Sequence, residues 1–195
     1  MMNNSKKNNQ LLKMLITAIL LAVGYVLPFL IGQVQVLGQS LSPLHIPVLI
    51  CGLTCGWQWG MALGIILPLT RSAFFSFPPI LNAIPMAAEM AVYGLLTGLM
   101  YALFRKMIRA KRLGHLPAML AAMLIAMTVG RIAGGIVKAC VLGLNGASYS
   151  FELFVSGYFV KTAVGAVLHL LIVPVIVLAL EKAKLSPMDR MMTRE

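Results

Sequence analysis

SPLHIPVLICGLTCGWQWGMALGIILPLTRSAFFSFPPILNAIPMAAE, residues Ser42 to Glu89, is the stretch that decides the fold class of this chain. It holds two apolar runs that are short for membrane helices, each punctuated by proline and glycine. His45, Arg71, Asn82 and Glu89 lie along or beside those runs. A segment this apolar belongs in lipid, where ionisable groups are costly and therefore face a partner or a cavity. The stretch is expected to build one wall of a small-molecule site open to one side of a membrane.

The rest of the chain agrees with that placement. Hydrophobic residues make up 60% of the sequence and charged residues 11%, with a mean hydropathy of +0.92. Soluble domains carry about 25% charged residues, so this chain cannot cover a water-facing surface. At 195 residues and ~20 apolar residues per span, there is room for about six membrane helices in one domain and little else. The net charge of +11 does not indicate nucleic acid, because the cations cluster at span ends and not along one face. The lysine-bearing N-terminus precedes a long apolar run without a clear small-residue cleavage site, so that run is expected to be a retained span.

The expected spans run from about Leu11 to Ile31, His45 to Gly56, Gly60 to Phe75, Ala83 to Phe104, Leu116 to Leu142 and Phe151 to Leu180. Ser42 and Pro43 suit the N-cap and first position of the second span. GWQWG is expected to be a turn with both tryptophans at headgroup level. Pro68 and Pro174 are expected to kink their helices. With six spans, Lys6, Lys7, Lys13, Arg105, Lys106, Arg109, Lys111, Arg112, Lys182, Lys184, Arg190 and Arg194 all fall on one side, which the positive-inside rule makes cytoplasmic, as are both termini. The connectors on the other side, Gly32 to Pro43 and SFPPILN among them, carry no Lys or Arg and are expected to form a lid.

The remaining charges, Arg71, Glu89, Arg131, Lys138, Glu152 and Lys161, then sit at mid-depth or nearer the outside, leaving the cytoplasmic half of the bundle essentially uncharged. Spacing suggests which could share a pocket. Arg131 and Lys138 are seven apart, as are Asn82 and Glu89, with Tyr93 one turn deeper; Tyr158 and Lys161 are three apart, with His169 further in. Phe74, Phe77 and Met86 would line such a pocket. Glu89 with Arg131, or Glu152 with Lys161, would equally serve as interhelical ion pairs. The set nevertheless has four cations and two anions, so two cations are left over, which argues for a guest with a carboxylate. His45 alone suits a helix-end hydrogen bond.

Cys51, Cys55 and Cys140 lie in apolar runs with no further ligand to complete a metal site, so they are small packing residues, and no cofactor is expected. The small-xxx-small pairs Gly52 and Gly56, Gly60 and Gly64, Gly94 and Gly98, and Gly130 and Gly134 suit helix packing. Ala18 and Ala22 form another such pair, which an external helix could use. The chain contains no H-E-x-x-H, no G-x-S-x-G and no catalytic pair of aspartates, which argues against an enzyme. With no Walker A motif it needs partners to use ATP. A self-sufficient secondary transporter or channel for a small organic anion is the alternative, although no inverted repeat is evident.

The stretch PLHIPVLICGLTCGWQWGMALGIILPLTRSAFFSFPP, the six spans and the Ala18-x-x-x-Ala22 motif together resemble the substrate-specific components of energy-coupling factor (ECF) vitamin transporters, over nearly the whole chain. The resemblance implies that Ala18 and Ala22 dock onto a shared transmembrane coupling subunit driven by two ATP-binding subunits. It also implies a vitamin held near the outer face, where His45, Arg71, Asn82, Glu89, Tyr93, Arg131, Lys138, Tyr158 and Lys161 fall. The subgroup resembles pantothenate carriers, with niacin or a pyridoxine-type compound next.

Overall fold

The computed structural model describes residues 2–31, 41–109 and 114–187. Within them the chain is helical, with no strand. In chain order the elements are α1 (Met2–Ile31), α2 (His45–Cys55), α3 (Trp57–Phe75), α4 (Ile80–Arg109), α5 (His115–Leu144), α6 (Phe151–Val155), a π-helical turn (Ser156–Val160) and α7 (Ala163–Lys182). Four stretches are long and apolar enough to cross a membrane: 7–30, 80–108, 115–144 and the combined 151–182. Residues 32–40 of the first connector, and Lys111, Arg112, Arg190 and Arg194, lie outside the described residues.

Helix α2 sits at the centre. All eleven of its residues are buried, and it packs against α1, α3, α4 and α7. At ~1.5 Å per residue it is only about 16 Å long, roughly half the hydrocarbon thickness. Its apolar character on every side follows from that enclosure, since a helix hydrophobic all round is a buried one. Leu49, Leu53, Leu63, Met90, Met119 and Val173, contributed by five helices, are each no more than 1% exposed and form the core around it. Helix α1 lies at the edge, with only 6% of its most apolar window buried.

Glycine sets the distance between α2, α3 and α4. A methyl group on Gly60 would lie 2.8 Å from the Gly52 Cα, and one on Gly94 would collide with the Gly60 carbonyl. Gly64 meets the Met90 backbone and Gly98 that of Trp57 in the same way. Gly52, Gly60, Gly64, Gly94 and Gly98 are therefore points where helix backbones touch.

Several local expectations change. GWQWG is not a loop: Trp57 to Gly60 form the first turn of α3, and Gly56 alone joins the helices. Its φ of 99° and ψ of 171° are open only to glycine, so one residue reverses the chain. Ser42 is not an N-cap. It has a φ of 45° and its carbonyl accepts from the His45 N–H at 3.1 Å, so a turn of backbone takes up the helix start. Pro68 and Pro174 both lie inside their helices, as expected, and are buried there. The last span is interrupted earlier, at the π-helical turn, where the Lys161 N–H reaches five residues back to the Ser156 carbonyl at 3.0 Å.

Candidate functional site

Helices α2, α4, α5 and α7 bring a continuous set of polar side chains together. Glu89, 8% exposed on α4, accepts a hydrogen bond at 3.0 Å from the hydroxyl of Tyr93 one turn along. The same carboxylate oxygen lies 3.6 Å from His45 Nε2. His45, 4% exposed, turns its other nitrogen to the Ser42 carbonyl at 3.1 Å. From α5, Arg131 donates through Nε to the Tyr93 hydroxyl at 3.3 Å and through Nη2 to the Thr162 carbonyl at 3.4 Å. Its guanidinium also lies 5.7 Å from the centre of the Phe159 ring.

The direction of these bonds is set by chemistry. Arg131 only donates and a backbone carbonyl only accepts, so the Tyr93 oxygen accepts from Arg131 while its hydrogen goes to Glu89. His45 must donate from Nδ1 to Ser42, and its Nε2 stands 3.6 Å from Glu89 without a hydrogen bond.

Two glycines of α5 let α4 come close enough to form this set. A methyl group on Gly130 would run into the Tyr93 ring, and one on Gly134 would lie 2.8 Å from the Glu89 Cβ and 3.1 Å from the Tyr158 ring. Tyr158 and Tyr149 flank Lys138, whose Nζ lies 5.9 Å from each ring centre. Attraction to ring faces partly offsets the cost of a half-buried ammonium.

The expected site residues thus divide. His45, Glu89, Tyr93 and Arg131 are in one connected set, and Tyr158 and Lys138 adjoin it. Asn82 and Lys161 are exposed. Tyr158 lies within the π-helical turn and Lys161 directly after it. Arg71, 3% exposed, is engaged elsewhere: it donates to the Tyr25 carbonyl of α1 at 2.8 Å and lies over Phe29 and Phe75 at 4.9 and 5.5 Å. Phe74 and Phe77 are exposed. Glu89 meets Arg131 through the Tyr93 hydroxyl and not directly, and no ion pair forms between Glu152 and Lys161.

Sequence spacing undervalued two residues. Thr162 supplies the carbonyl under Arg131, and His169, 2% exposed, stacks on His45 at 5.9 Å and 27°. They are seven apart on the last span, a signal that was present in the sequence.

The opposite end of the bundle is not uncharged. The Tyr101 hydroxyl lies 2.9 Å from His115 Nε2 and donates to Glu181 at 3.2 Å, and His115 Nδ1 is 3.5 Å from Glu181. Arg105, 5% exposed, lies over the Tyr101 ring at 5.3 Å. Helix α4 continues past Phe104, beyond the expected end of the fourth span, and carries Arg105 back into the protein. Tyr101 is twelve residues along α4 from Glu89, about 18 Å at ~1.5 Å per residue, so this second set is separate. It ties α4, α5 and α7 together.

Ala18 and Ala22 are both exposed on α1, and beside Ala22 a shallow apolar groove is lined by Val23, Val26, Leu27 and Leu30.

No curated protein and no solved structure matches the chain. A family model described as ECF transporter, substrate-specific component, matches residues 12–177. The match runs from α1 into α7 and takes in every residue of the connected polar set. The protein therefore belongs to the family of substrate-specific components of ECF transporters, membrane subunits of transport systems and not enzymes.

Proposed function

We propose that this chain is the substrate-binding subunit of an ECF-type importer in the cell membrane, taking up a small water-soluble vitamin that carries a carboxylate. Pantothenate ranks first, then niacin or a pyridoxine-type compound. The observation that carries this reading is the state of Arg131. Among the described residues no carboxylate lies within 4 Å of it; its partners are a hydroxyl and a carbonyl at 3.3 and 3.4 Å, both neutral and both long. Lys138 is likewise held by ring faces. Two cations matched only by neutral groups in an apolar bundle favour an anionic guest, since a guanidinium takes a carboxylate through two parallel bonds.

In this reading the chain crosses the membrane six times, with α2 and α3 as the second and third passes and both termini in the cytoplasm. The Arg131 set then faces outward. Ala18 and Ala22 are the docking point for the shared coupling subunit, which two ATP-binding subunits drive. The exposure of that pair, on a helix buried over so little of its surface, supports the assignment.

The test is binding followed by transport. The purified chain should be stabilised by one acidic B vitamin in a thermal-shift panel, since a ligand bound to the folded state raises its stability by mass action. It should move that vitamin into proteoliposomes only with the coupling and ATP-binding subunits present. Uptake by the chain alone would replace this reading with that of a self-sufficient transporter.

A further inference from the structure

The two nitrogens of His169 are in different situations. Nε2 lies 3.2 Å from the Leu41 carbonyl oxygen, which only accepts, so Nε2 carries the hydrogen. Nδ1 is buried and has no hydrogen-bond partner among the described residues. A neutral ring that donates through Nε2 presents Nδ1 as a bare acceptor. Buried acceptors are ordinarily matched by a donor. The protein groups beside it do not supply one. His45, stacked on it, directs Nδ1 to the Ser42 carbonyl, while its Nε2 stands 3.6 Å from Glu89 without a hydrogen bond, and the Tyr93 hydrogen goes to Glu89.

The connected set is therefore polarised. On the α5 side, Arg131 and Lys138 are donors only. On the side of α4 and α7, Glu89 and His169 Nδ1 are acceptors. A bare carboxylate would answer the first side and leave His169 Nδ1 unmatched, since Glu89 already accepts from Tyr93.

We propose that the guest is a small carboxylate that also carries a hydroxyl or amide hydrogen, which His169 Nδ1 accepts. His169 is thus a specificity-determining residue. This rests on the reading of Arg131 as the carboxylate anchor.

Two acids separate the possibilities. Pantothenate has a carboxylate together with hydroxyl and amide hydrogens, whereas nicotinate has the carboxylate and no hydrogen-bond donor. Titration calorimetry on the full-length chain should give pantothenate at least about tenfold tighter than nicotinate, the equivalent of one neutral hydrogen bond. His169→Phe, which keeps the ring and removes the acceptor, should weaken pantothenate by about tenfold and leave nicotinate unchanged. His169→Asn, with an oxygen close to the Nδ1 position, should restore part of the loss. The wild-type comparison stands on its own if a variant does not fold. Equal affinity for the two acids, or a His169→Phe variant that loses both alike, would overturn the proposal. If Arg131→Ala abolishes pantothenate binding while His169→Phe spares it, this inference fails and the carboxylate anchor stands. If the wild type binds neither acid, both fall.

Discussion

Gly130→Ala tests the claim that the polar set exists because α5 offers α4 a surface without side chains. The added methyl would run into the Tyr93 ring and come 3.0 Å from the Glu89 carbonyl oxygen. Tyr93 is 1% exposed and fixed by hydrogen bonds to Glu89 and from Arg131, so it cannot swing aside freely. Overpacking of this kind costs about 1–3 kcal/mol. Losing one of the two bonds adds about 1 kcal/mol. Against this, alanine gains roughly 1 kcal/mol over glycine in a helix, so the net loss is about 1–3 kcal/mol. At ~2–4 °C per kcal/mol for a chain of this size, the unfolding midpoint in detergent should fall by about 2–12 °C. Gly143→Ala, on the same helix, is the control, because a methyl there meets nothing within 4 Å. It should leave the midpoint unchanged or raise it. If Gly130→Ala is as stable as Gly143→Ala, the close approach of α4 and α5 at Tyr93 is not real and the geometry built on it fails.

Arg131→Ala should abolish binding of the acidic vitamin while the protein stays folded, as read by calorimetry beside a thermal melt; unchanged affinity would make Arg131 a purely structural residue. Gly56→Ala should destabilise by roughly 1–2 kcal/mol or more, because an L-residue is strained at φ 99°, and a melt matching the wild type would contradict the one-residue reversal. Tyr101→Phe removes contacts to His115 and Glu181 and should cost about 1–3 kcal/mol while shifting vitamin affinity less than about twofold; a large affinity change would couple the two ends of the bundle. Ala18→Trp should block transport by the assembled importer yet spare binding by the lone chain, and loss of binding would contradict a docking role.

The membrane class was legible because it depends on composition alone: with 11% charged residues no folding of this chain yields a water-covered surface. Glu89, Tyr93 and Arg131 were legible as candidates because an ionisable residue in an apolar run is conspicuous wherever the helix packs. Their spacing also placed Glu89 and Tyr93 one helical turn apart, as the 3.0 Å bond between them shows. The same logic did not tell what Arg71 and Lys161 would meet. Both satisfy the pattern, yet one is held by α1 and the other is exposed. Helical periodicity describes a face of one helix and says nothing of what that face meets.

The sequence by itself determined that apolar helices must enclose these few charges, since the cost of leaving them in lipid is a property of the residues. It also marked the glycines at which helices touch. Which helices touch there was decided only by tertiary structure. The burial of α2 on every side, the seating of Tyr93 against Gly130 and the stacking of His169 on His45 join residues up to 124 positions apart. Such contacts depend on how four helices fit together at once, through shape and backbone approach. No single stretch of the chain carries that information.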